Sequence, residues 1–145
     1  MEEKRDTVEL LQEISTGCHM AVASFEQVQE FDIRHELLVA LQKYEKSHRE
    51  MEQEATDMLH ELGEEEKRPG AMVSAMSWLT TEMKMNLKED ATQAAKLMMN
   101  GCNTGIQSIG EAIGKYPSAS EKSVKLARKL IENEEKLMKE MEDYL

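Results

Sequence analysis

The chain predicts an all-α bundle of four long helices with a short additional helix, and three observations carry that prediction. Apolar residues recur at three- and four-residue spacings over long stretches, the mark of helices with one buried face. Turn-forming residues cluster between those stretches at Glu30–Ile33, Gly63–Gly70 and Tyr116–Ser120. Two Pro and seven Gly in 145 residues leave little to interrupt long helices.

The first stripe runs Leu11, Cys18 and Phe25, flanked by Ile14, Ala21 and Val28. It predicts a helix from about Lys4 to Glu30, with Asp6 or Thr7 opening its regular part and Glu2 and Glu3 favouring its positive end. Gly17 lies inside this helix, where close approach of a neighbour would account for it. Asp32 is the expected N-cap of a second helix whose stripe is Leu41, Tyr44, His48, Met51, Ala55, Met58 and Leu62, with Gly63 as its stop.

The charged run Glu64–Gly70 reads as a connector long enough to begin a crossover. Met72, Met76, Leu79 and Met83 then predict a short helix over about 71–85, and Asn86-Leu87-Lys88-Glu89 has the form of a capping box. The third long helix is expected from Leu87 to about Lys115, with Ala91, Ala94, Met98, Cys102, Ile106, Ile109 and Ile113 inward. Pro117 ends it. Ser118 or Ser120 caps the last helix, whose stripe is Val124, Ala127, Ile131, Glu134, Met138, Met141 and Leu145. Short returns make the first pair and the last pair antiparallel, and the longer middle section favours a crossover over a simple up-down bundle.

Residues 1–145 read as one helical domain. Only 4% of residues are aromatic and twelve are Met, so the core is aliphatic and thioether-filled. A net charge of −11 disfavours nucleic acid and anionic membrane surfaces as partners. No apolar run is long enough to span a bilayer, no segment resembles a secretion signal, and two cysteines on helical stripes suggest reduced thiols in the cytoplasm. Ser15, Ser24 and Ser47 form no nucleophile pattern, Gly101–Gly105 lacks a phosphate-loop ending, and His19, His35 and His60 read as interfacial or surface residues. Trp78 with Met76 and Met83 reads as core packing or as cover for an apolar groove.

The residues with chemistry lie at the middle of the helices. Cys18, His48 and Cys102 stand near the midpoints of their helices and Glu134 within a turn of its own, so one bundle layer would bring them together. Two thiolates, an imidazole and a carboxylate are a chemically sensible zinc set. Glu45 and His48 form a Glu-x-x-His segment of the kind di-metal bundles use twice, and this chain has it once. The alternative is a structural one: the cysteines serve as small buried hydrophobes, with His48 neutral and paired to Glu45 or Glu134.

Beyond these residues, Pro69-Gly70-Ala71 leading into Ser77-Trp78-Leu79, then Met99-Asn100-Gly101-Cys102-Asn103, then Ala112-Ile113 before Tyr116-Pro117 resemble, in that order, a bacterial branch of ferritin-like four-helix proteins of unknown function. With the first two helices, the resemblance spans about residues 7–143. It implies a ferritin-like four-helix bundle with weak or lost metal chemistry, and it does not imply iron storage. Cys18 stands near the place where such proteins commonly carry a ligand carboxylate, Asn100 and Asn103 replace acidic residues, and only Glu45 and His48 match the metal motif directly.

The expected function is an interaction or stress-related scaffold without conventional di-iron catalysis, with no cofactor assigned. A second copy or a helical protein is the expected partner. The alternative is a metal-binding protein or metal-dependent oxidoreductase using Cys18, His48, Cys102, Glu134 and Glu45.

Overall fold

Among the described residues, the periodic stretches form four helices: α1 (Glu2–Val28), α2 (His35–Glu61), α3 (Ala91–Lys115) and α4 (Glu121–Met141), followed by a 3-10 turn at Glu142–Tyr144. The computed structural model of the protein describes residues 1–66 and 90–145. The short helix expected over 71–85, the Asn86 capping box and the Trp78 cluster lie outside the described residues. At the standard rise, helices of 27 residues are about 40 Å long.

Local signals account for the helix ends, with some shifts. Gly63 takes the left-handed conformation at φ 74°. Its amide donates to the His60 carbonyl, and the Glu64 amide donates to that of Leu59, so α2 stops in a Schellman turn that only glycine adopts without strain. Arg34 rather than Asp32 is the N-cap of α2, and Asp32 instead forms a parallel bridge with Asp90. Asp90 caps α3 by accepting from the Gln93 amide. Of the two serine candidates, Ser120 caps α4, while Ser118 donates its amide to Asp6.

Contacts between the helix ends define the topology. At one end Asp6 Oδ2 accepts from the Ser118 amide at 2.9 Å, and Thr7 Oγ1 accepts from the Ser120 amide at 2.8 Å. Asp6 and Thr7 are therefore buried fasteners between α1 and the α3–α4 turn, not openers of their own helix. At the other end Asp32 meets Asp90, and the Thr92 hydroxyl donates to the Tyr144 carbonyl. α2 thus ends at one end of the bundle and α3 begins at the opposite one, so these two helices run parallel. α1–α2 and α3–α4 are the antiparallel pairs and pack most extensively, with α1 also meeting α3 and α2 meeting α4.

Among the described residues, two apolar clusters fill the interior. One holds Phe25, Leu37, Leu41, Met98, Leu137 and Met141. The other holds Leu10, Ile14, Met51, Leu59, Leu126 and Leu130. The inner face of α4 is rotated by about one residue from the expected stripe: Leu126, Leu130 and Leu137 are buried, whereas Val124, Ile131 and Met138 are partly buried and Leu145 is exposed. Glu134 belongs to both versions of the face. His48 and Glu134 sit at the waist between the two clusters.

Candidate functional site

Tyr44, His48 and Met51 share the inward face of α2 at spacings of four and three, which sends His48 into the bundle centre, fully buried. Its Nδ1 lies 2.7 Å from the Tyr44 carbonyl one turn earlier. A carbonyl only accepts, so Nδ1 carries a proton. Nε2 faces Oε1 of Glu134, which α4 presents from across the bundle at 6% exposure. Neutral imidazole with its proton on Nδ1 has only a lone pair at Nε2, so one further proton must lie between Nε2 and the carboxylate. Imidazolium with carboxylate, or imidazole with carboxylic acid, both leave the pair neutral overall. The Phe25 ring, 5.1 Å from the imidazole and tilted by 58°, closes one side.

Burial by itself acts to lower the His48 pKa, but the hydrogen bond and charge of Glu134 and the Tyr44 carbonyl together raise it above the ordinary histidine value. The thiols answer to the same carboxylate. Burial first, then the Glu134 charge and a hydrogen bond to it, push the Cys102 thiol far up. Burial first, then the charges of Glu134 and Glu52, do the same to Cys18. Both cysteines are free, buried and held as neutral thiols.

The structure thus brings His48 and Cys102 to Glu134, leaves Cys18 within reach of the Glu134 charge, and sends Glu45 elsewhere. Glu45 accepts from Gln29 at 2.6 Å and from Arg49 Nε at 3.0 Å on the outside of the α1–α2 pair. Three positions along a helix are about 60° apart, enough to place His48 inside while Glu45 stays at the rim. His19 pairs with Glu52 and His60 with Glu66, both partly exposed.

A metal at this site would have to displace the contact between His48 Nε2 and Glu134 and the thiol protons of Cys18 and Cys102, with His48 Nδ1 already held by the Tyr44 carbonyl. Among the described residues, no group of three or more His, Cys, Asp and Glu stands so as to hold a metal ion.

Two features were not anticipated. A cavity of about 370 Å³ lies between α1 and α3 and reaches the His48–Glu134 pair. Gly105, on the α3 wall, lets Glu134 come close: a Cβ there would stand 3.3 Å from Oε2. The glycine spacing in α3 was the available signal, but it reads equally well as room for a neighbouring helix.

Two antiparallel pairs with parallel second and third helices, and the polar residues at mid-length, make this a ferritin-like four-helix bundle. The chain is similar to the solved structure of Dps92 from Deinococcus radiodurans, with a TM-score of 0.74 at 16% identity over 100% of this chain and 88% of that one. That likeness is one of fold. No protein-family model and no curated protein matches the chain. Among the described residues, no helix is long and apolar enough to cross a membrane.

Proposed function

We propose that this is a binding protein on a ferritin-like frame, an interaction scaffold without di-iron catalysis. The observation that carries the reading is the commitment of every donor at the waist. The imidazole is held at both nitrogens, Glu134 shares a proton with it, and the two thiols are neutral. Di-metal bundles instead present several free carboxylates and paired Glu-x-x-His segments. A pair that is neutral overall can stay buried between two apolar clusters, where it specifies helix register at modest cost. Function then falls to surfaces and clefts, and the buried free thiols are in keeping with a reducing cytoplasm.

The test is metal analysis of protein purified without chelator, followed by dioxygen consumption after ferrous iron is added. Substoichiometric metal and no iron-dependent oxygen uptake are expected. Two irons at Glu134 and Glu45–His48 would refute the reading, and so would one zinc on Cys18, His48, Cys102 and Glu134, which would have to displace the thiol protons and the shared one.

A further inference from the structure

The cleft between α1 and α3 is long and narrow. Its lining runs from Glu13 to Phe25 on α1 and from Leu97 to Ile109 on α3, about 18 Å of each helix at the standard rise. The two helices are antiparallel, so Gly17 faces Ile109 at one end, where an added Cβ would stand 3.8 Å from the isoleucine Cδ1. At the other end Phe25, Leu97 and Met98 share one apolar cluster. Spread over that length, the volume of about 370 Å³ leaves a mean section of roughly 20 Å², the width of a single extended hydrocarbon chain. Gly101 borders open space, since a Cβ there would meet nothing within 4 Å.

The floor and the rim decide the head group. His48 and Glu134, on the floor, share one proton and are neutral as a pair, and the Cys102 thiol is bonded to the same carboxylate. Glu13 at the rim is itself engaged, and among the described lining residues neither Lys nor Arg is present. An ionic head of either sign would leave water without meeting an unpaired opposite charge, which is costly. The hydroxyls of Thr16 and Ser108, at the Gly17–Ile109 end, are groups that both donate to and accept from a neutral partner.

We propose that this cleft binds a single unbranched hydrocarbon chain ending in an uncharged polar group, a long-chain alcohol in its simplest form. Its hydroxyl stands by Thr16 and Ser108 and its chain runs past Met20 and Gly101 toward Phe25 and Leu97. Such a chain gains by burial alone, as apolar guests do in apolar cavities. The thioethers of Met20 and Met98 adapt to its bends. The inference rests on the binding-protein reading, because a metal on Glu134 would put unpaired charge at the floor.

The test uses the full chain, with metal content measured on the same sample. The probes are n-hexanol, n-octanol and n-decanol, with decylammonium and decanoate as charged counterparts and adamantanemethanol as a compact one. Affinity is read by calorimetry and contact by the methyl resonances of Met20 and Met98. Both methyls should shift, and affinity should rise about tenfold for every two methylenes added. The charged chains and the cage alcohol should bind at least about tenfold more weakly than decanol. Gly101→Leu fills the open space and improves helix propensity, so it should fold and weaken decanol binding at least about tenfold. Gly110→Leu, on the same helix but outside the cleft lining, should leave binding unchanged.

An affinity that does not grow with chain length, or a cage alcohol that matches decanol, would overturn the channel. A charged chain that binds as tightly as decanol would overturn the neutral head. A loss in Gly101→Leu no greater than that in Gly110→Leu would overturn the location. Metal-free protein that binds none of the probes would sink this inference and leave the binding-protein reading standing, whereas stoichiometric metal on Glu134 would sink both. Contacts of the Met20 methyl with Trp78, or a dimer that excludes decanol, would reassign the cleft to the chain's own residues 67–89 or to a second copy, and overturn the proposal.

Discussion

Replacing His48 by Leu leaves the Glu134 carboxylate buried at 6% exposure without the partner that shares its proton. Removing one member of a buried pair costs about 3–5 kcal/mol, because the other is left desolvated and uncompensated. No discount for solvent screening applies, since the two side chains are 0% and 7% exposed. Glu134→Leu should cost less, about 1–3 kcal/mol, because His48 can stay neutral with Nδ1 still bonded to the Tyr44 carbonyl and only Nε2 unsatisfied. The double substitution joins the two apolar clusters through the waist and should lie within roughly 1 kcal/mol of the wild type, since apolar replacement of such pairs is often neutral. Urea unfolding followed by circular dichroism at neutral pH gives all four corners of the cycle. His48→Leu should lower the melting temperature by on the order of 10 °C, and the coupling energy should exceed about 2 kcal/mol. Single costs that simply add in the double variant would refute the shared-proton pair.

The pH dependence has a fixed sign. Burial opposes protonation of His48, yet Glu134 and the Tyr44 carbonyl leave its folded pKa raised, so the stabilisation is complete below the unfolded value of about 6.5 and is lost as pH rises through the folded one. The urea midpoint should therefore fall over that window in the wild type and stay flat in His48→Leu; parallel profiles would contradict the assignment. Gly63→Ala should cost about 1–2 kcal/mol, because a side chain at φ 74° is strained even though nothing lies within 4 Å of the added carbon; an unchanged melt would count against the Schellman turn. Cys18, fully buried, outside the lining of the cleft and with its thiol pKa pushed far up, should react with an aromatic disulfide reagent only at the rate of unfolding; rapid labelling of Cys18 in native buffer would contradict its burial.

Much of the architecture was legible because its signals are local. Three-four spacing predicts helices, a glycine after Leu62 predicts a left-handed stop, and a serine before Glu121 predicts a cap, each within a few residues of its effect. The meeting of His48 and Cys102 with Glu134 was legible too, since residues near helix midpoints share a layer whichever way the helices run. Other features depend on groups far apart in the chain. Asp6 and Thr7 fasten to Ser118 and Ser120 across more than a hundred residues, and Asp32 leaves the cap position to meet Asp90. On α4, Val124, Ile131 and Met138 are as apolar as their neighbours, and only packing against α1–α3 turned Leu126, Leu130 and Leu137 inward. Glu45 and His48 share a motif in sequence, but a rotation of about 60° parts them once α1 lies against α2. Periodicity predicts that a helix has an inner face; the exact orientation of that face, and therefore which polar side chain must find a buried partner, depends on the volume the other three helices leave for it.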